Sequence, residues 1–128
     1  MDDPKSKKNT LETNFATIKI DDEGIIHVTG KEGVDVTKED FELLDNWLKK
    51  LNLVKQIIFA DRSQSYSHTF DAQKLLMQKK DITALAMYVT TSVKLELAEM
   101  AKDVYLRNFP VKVFTDKKEA MKWLKTFL

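Results

Sequence analysis

The densest concentration of reactive groups lies between two apolar segments, where the chain reads Asp61-Arg62-Ser63-Gln64-Ser65-Tyr66-Ser67-His68-Thr69. Arg62 offers a planar fork of donors suited to a carboxylate or phosphate. Ser63, Ser65, Ser67 and Thr69 offer hydroxyls, and His68 a ring that can donate or accept. A phosphorylated Ser here would add about two negative charges. The same residue types also make ordinary loop structure, because Ser and Thr cap helices and Asp turns a chain. Asp61, His68 and a Ser can be drawn as a hydrolase triad. All three would come from one short loop without a Gly-x-Ser-x-Gly elbow, so no catalytic residue is assigned.

Other chemistry is sparse. The chain has two His and no Cys, which argues against zinc and removes disulfides and thiol nucleophiles. His27 falls in phase with Ile25 and Thr29 as a surface or interface residue. The turn Asp21-Asp22-Glu23-Gly24 lacks the spaced oxygens of a calcium loop and reads as a solvated hairpin tip. The three glycines, Gly24, Gly30 and Gly33, form no phosphate-binding loop. No metal or cofactor is expected.

The 128 residues suit one domain, and 43% hydrophobic with 32% charged residues suits a folded, globular one. With 21 basic and 20 acidic side chains, the formal charge of +1 provides no field to attract nucleic acid or an anionic membrane. No window approaches the ~20 apolar residues of a membrane helix. Residues 1–10 lack an apolar signal core. The expectation is a cytoplasmic protein with a flexible tail at 1–13 and a single domain at 14–128. Lys5, Lys7 and Lys8 read as a solvated end.

The elements that position the loop follow from periodicity. Phe15–Ile20 and Ile25–Thr29 flank the acidic, Gly-closed turn as an antiparallel hairpin. Thr37 can cap a helix whose apolar stripe is Phe41, Leu44, Trp47, Leu48 and Leu51, with Asn52 as a left-handed stop. Val54–Ala60 becomes apolar on both faces, the mark of a central parallel strand. Thr69 or Ser67 can cap a second helix to about Lys80. Ile82–Val89 has no polar face and reads as the most buried strand. Thr91 or Ser92 then caps a third helix carrying Val93, Leu97, Met100, Ala101 and Val104, which must end near Asn108 because Pro110 follows. Val111–Phe114 is a last strand, with Lys112 suiting a sheet edge. Asp116 starts a final helix to the terminus, with Glu119 completing a capping-box pattern. Trp47, Trp123 and Phe127 read as core anchors.

The fold class expected is α/β: a mixed, mainly parallel five-stranded sheet in β-β-α-β-α-β-α-β-α order. Sequential strands joined by right-handed crossovers put most helices on one face. The other face would be left partly bare, which gives a homodimer as the expected assembly. Ligands in open α/β sheets collect beyond the carboxyl ends of inner strands, and helix N-termini attract anions. Binding of a ligand or partner is therefore expected at Asp61, Arg62, Ser63, Ser65, Ser67, His68 and Thr69. Thr91 and Ser92, at the end of the neighbouring strand, should face them.

Two segments carry a family resemblance. Phe109-Pro110-Val111-Lys112-Val113-Phe114-Thr115-Asp116, followed by Glu119-Ala120 and Trp123-Leu124, resembles the C-terminal signature of the SpoIIAA-like family, also described as STAS/SEC14-like. Ile57-Ile58-Phe59-Ala60-Asp61-Arg62 is similar to that family's apolar strand closing on Asp and often Arg. The resemblance implies an α/β fold wound as a short superhelix. It also implies a non-enzymatic regulatory module acting through protein partners or a small ligand. In anti-sigma-factor antagonists of the wider group, a Ser in an Asp-Ser-Ser/Thr-Gly motif is phosphorylated at the helix start after this strand. Residues 61–70 contain no such motif, so no phosphoacceptor is carried over. SEC14 relatives further imply a carrier of small apolar or acyl ligands, with Met87, Tyr88, Met100 and Tyr105 lining a cavity. The same four residues also read as plain core.

Overall fold

The computed structural model describes residues 9–53, 55–64, 67–91, 94–96, 98–99 and 108–128. Its main sheet has six strands in the order β1 (Thr10–Glu12), β2 (Ala16–Ile20), β3 (Ile26–Gly30), β5 (Ile57–Asp61), β7 (Ala84–Tyr88) and β8 (Val111–Phe114). The first three pair antiparallel, and β3, β5, β7 and β8 pair parallel. The two-residue strands β4 (Asp35–Val36) and β6 (Ser67–His68) form a separate parallel pair. The helices are α1 (Lys38–Lys50), α2 (Phe70–Gln78), α3, described at 94–96 and 98–99, and α4 (Lys117–Lys125).

The mainly parallel α/β architecture matches expectation, but the sheet has six strands instead of five. Thr10–Glu12, read as tail, pairs with β2 in the register Leu11↔Ile18. Leu11 lies on the same apolar cluster as Ile18. One apolar residue in three gives no readable alternation, so pairing to a formed edge makes this strand, not local propensity. Residues 1–8 lie outside the described residues. The pair β4–β6 was equally illegible, since two residues carry no period.

Local signals were followed closely elsewhere. Asp21 Oδ1 accepts from the backbone N–H of Glu23 and Ile25, at 2.9 and 3.0 Å, and Gly24 takes φ +89° to close the hairpin. Thr37 caps α1 in a reciprocal box with Asp40, and Asn52 stops the helix at φ +53°. Thr69 caps α2, which ends at Gln78. Thr91 Oγ1 accepts from Lys94 N at 3.1 Å to start α3. Ser92, Val93, Leu97, Met100, Ala101 and Val104 lie outside the described residues. Asp116 caps α4 by accepting from Lys118 N at 2.8 Å. That helix stops at Lys125, short of the terminus, with Thr126 as its cap.

Alternation on the inner strands divides the core into two layers. Ile58 and Ala60 of β5, Leu85 and Met87 of β7, and Val111 and Val113 of β8 face one side. Leu76 and Leu95 pack against them from α2 and α3. Ile18, Ile20 and Ile26 continue this side under Phe41, Leu44 and Leu48 of α1. Ile57, Phe59, Ala84 and Ala86 face the other way, under Ala120 and Leu124 of α4. Three helices therefore cover one face and one covers the other. The open part of the second face is the antiparallel end, where Lys19 and Thr29 are exposed and Thr17 and His27 half-buried. Trp47, Trp123 and Phe127 are half-buried instead of central. The fully buried anchor of α4 is Leu124.

Candidate functional site

The inner strands β5 and β7 lie side by side, in the register Ile57↔Ala84 to Asp61↔Tyr88. Beyond their ends, Ser63 lies within reach of the start of α3. Lys94 Nζ donates to Ser63 O at 2.9 Å, tying the loop after β5 to the start of α3.

The pleat then separates residues that are adjacent in sequence. Asp61, only 8% exposed, follows Ile57 and Phe59 towards α4, where its Oδ2 lies 3.7 Å from Lys117 Nζ. Its Oδ1 accepts from Ser63 N at 2.9 Å. Arg62 falls on the opposite side, with Ile58 and Ala60. The expectation that Asp61 belongs to one common cleft with Arg62 and His68 is thereby corrected, and a triad of Asp61, His68 and a Ser has no geometry. Ser67 donates to Asp35 Oδ1 at 2.9 Å. Thr69 and Thr91 spend their hydroxyls capping α2 and α3. Ser65 and Ser92 lie outside the described residues.

Arg62 and His68 remain, and both line a cavity of about 350 Å³ between the sheet and the helices α1 and α2. Its floor is Val28, Ile58, Ala60, Leu85 and Met87, and its roof includes Phe41, Leu44, Leu75 and Leu76. Of the four residues named for an apolar cavity, Met87 lines it and Tyr88 packs under α4 instead. Met100 and Tyr105 lie outside the described residues.

One end of the cavity is set by the loop. His68 stacks on Phe41, with ring centroids 5.6 Å apart and planes 8° from parallel. Burial, reinforced by the Arg62 charge and opposed by Asp35, pushes the imidazole pKa down to about 4. His68 is thus a neutral ring at neutral pH. The other end is set by Gln56, Asp45 and Lys79. Lys79 Nζ lies 2.9 Å from Asp45 Oδ1 and 3.4 Å from Asp81 Oδ1, strapping the end of α2 to α1. Lys49 adds a contact to Asp45 Oδ2 at 3.2 Å. Burial raises the Asp45 pKa, but hydrogen bonds and charge from Lys79 and Lys49 outweigh it and hold the carboxyl below its ordinary value.

Gln56 was not singled out from sequence, although a signal existed. Gln56, Ile58, Ala60 and Arg62 alternate along β5 and the residues that flank it, and all four meet the cavity. Among the described residues no group of three His, Cys, Asp or Glu side chains could hold a metal ion, and no helix is long and apolar enough to cross a membrane.

A family model described as a domain of unknown function, DUF7793, matches residues 18–128. No curated protein matches the sequence. Among solved structures, the chain is similar to the crystal structure of an uncharacterized protein of the DUF3478 family, with a SpoIIAA-like fold, from Shewanella loihica PV-4. The two are 17% identical and superpose with a TM-score of 0.64, covering 89% of this chain and 98% of that one. This likeness bears out the SpoIIAA-like fold expected from residues 57–62 and 109–124.

Proposed function

We propose that this chain, which belongs to the DUF7793 family and has a SpoIIAA-like fold, is a non-enzymatic module that binds a small, mainly apolar ligand between its sheet and helices α1 and α2. The observation that carries this reading is the cavity itself. Its volume of about 350 Å³ falls within the range of small-molecule sites, roughly 300–1,000 Å³. Apolar walls with a few polar groups at the ends are what such a ligand requires, since the walls supply affinity and the ends supply orientation. Arg62 and His68 join the cavity to the loop after β5, so the regulatory reading of that loop and the carrier reading of the cavity meet at one place.

Native mass spectrometry of freshly purified protein tests this, followed by titration with decanol as an apolar probe. The wild type binds decanol, and Ala60→Leu, which projects into the cavity, binds it several-fold more weakly. Absence of binding, or equal affinity in the two proteins, contradicts the proposal.

Phe70 favours a second, compatible role. It begins α2 immediately after the loop and is 70% exposed, which suits contact with a regulatory protein partner, here in the cytoplasm. A homodimer through the open end of the sheet would join rows of polar side chains. Light scattering at high concentration checks it, and a monomer removes it.

A further inference from the structure

We propose that the ligand carries an uncharged hydrogen-bond donor, a hydroxyl on an alkyl chain, and gives it to the side-chain oxygen of Gln56 just before β5. This rests on the cavity being a ligand site and goes further by naming the polar group that enters it and the residue that receives it.

Gln56 is held by its own backbone. Its carbonyl accepts from Thr83 N at 2.8 Å and from Ala84 N at 3.4 Å, which fixes the approach to β5 against the start of β7. The two-residue repeat then places its side chain with Ile58 and Ala60, on the cavity wall. The amide nitrogen reaches Asp81 Oδ2 at 3.4 Å. A carboxylate accepts and does not donate, so this contact decides which way round the amide lies. The amide oxygen is turned elsewhere. Oε1 is buried and has no hydrogen-bond partner, and among the described residues no other buried side-chain oxygen or nitrogen is left so.

A buried acceptor without a partner is costly, and a donor supplied by a ligand recovers that cost. The last torsion of a Gln side chain is soft. A modest turn about it presents Oε1 to a group in the cavity while the backbone stays in place. A hydroxyl meets that need. A methyl or an ether oxygen does not, since neither donates.

The charges at this end of the cavity require the donor to be neutral. Lys79 Nζ lies 2.9 Å from Asp45 Oδ1 and 3.4 Å from Asp81 Oδ1, and Lys49 Nζ lies 3.2 Å from Asp45 Oδ2. Two carboxylates face two ammonium groups, which leaves no surplus of either sign. A carboxylate head would have no proton for Oε1. An ammonium head would lose its hydration without gaining an unmatched anion. The remainder of the ligand follows from the walls, where Ile58, Ala60, Leu75 and Leu76 offer only hydrocarbon. A methylene occupies about as much space as a water molecule, roughly 30 Å³, so about 350 Å³ accommodates about a dozen heavy atoms.

The test is calorimetric titration with decanol and with methyl nonyl ether, which has the same heavy atoms and no donor. In an apolar cavity that offered no acceptor, the ether would bind tighter, because the alcohol would bury an unpaired O–H. The wild type instead binds decanol about fivefold tighter than the ether, the value of one neutral hydrogen bond. Gln56→Leu, whose urea midpoint reports its fold, reverses that order by weakening decanol and leaving the ether unchanged or tighter. If the wild type binds the ether as tightly as decanol or tighter, the hydroxyl assignment is overturned while the cavity reading survives. If Gln56→Leu keeps the preference for decanol, the donor sits elsewhere and Gln56 is excluded as its acceptor. If neither compound binds the wild type, the assignment and the cavity reading both fall.

Discussion

Ala60 offers a substitution whose effect on stability changes sign with the nature of its surroundings. It sits on β5 in the cavity floor, paired with Val28 on one side and Met87 on the other. Ala60→Leu adds three carbon atoms. If about 350 Å³ of space adjoins the methyl, those atoms enter it and gain up to ~0.8 kcal/mol each, about 2.4 kcal/mol in all. Some of this is lost to rotamer restriction, leaving a net gain of about 1–2 kcal/mol. If the same position were close-packed, forcing in three carbons would cost about 1–3 kcal/mol. Urea unfolding followed by Trp fluorescence distinguishes the two, because the midpoint moves up in one case and down in the other at constant slope. The melting temperature should rise by a few degrees. A variant that is less stable than wild type, with an unchanged slope, refutes the presence of the cavity.

Other substitutions probe the frame and the ends of the site. Leu124 is wholly buried beneath α4, so Leu124→Ala should cost about 2–5 kcal/mol in urea unfolding, and Trp123→Ala, half-buried at the rim, should cost less. His68 is held neutral well below its ordinary pKa of 6.5, so the unfolded chain takes up its proton first. Stability should therefore fall as pH drops from about 6.5 towards about 4, and His68→Phe should flatten that slope in pH-dependent unfolding. Asp45 has the opposite linkage, since a carboxyl whose folded pKa is depressed stabilises above its unfolded value and loses that contribution as the carboxylate protonates. Asp45→Asn should lower stability at neutral pH and remove part of the loss seen below its ordinary value of 3.8.

The sequence declared the inner frame because each inner strand has to satisfy two layers at once. Ile57–Ala60 and Ala84–Val89 are apolar in both phases of the pleat, and few arrangements other than neighbouring central strands accommodate that. Helix boundaries were readable at Thr37, Asn52, Thr69, Thr91 and Asp116 because capping is local chemistry. What could not be read depended on partners distant in sequence. β1 exists by pairing with β2, and β4 by pairing with a residue pair more than thirty positions away. The residues expected to act together in the loop after β5 divide between the two layers. Asp61 and Arg62 are neighbours in sequence and are sent by the pleat to opposite layers. Ser67, Thr69 and Thr91 took the ordinary structural roles that their residue types also allow. Of the cavity that the family resemblance implied, only Met87 was placed in advance, because the other walls are the same aliphatic residues that would fill a solid core. Periodicity tells which way a side chain points and leaves open whether the opposing helix reaches it.

Ile57 and Ile58 stand next to each other on β5 and face opposite layers, Ile57 under α4 and Ile58 in the cavity. Methyl NMR during titration with decanol compares them within one molecule. Saturable shifts of the Ile58 methyl, with Ile57 unmoved, are the predicted result. Equal movement of both methyls, or movement of neither, contradicts binding between the sheet and helices α1 and α2.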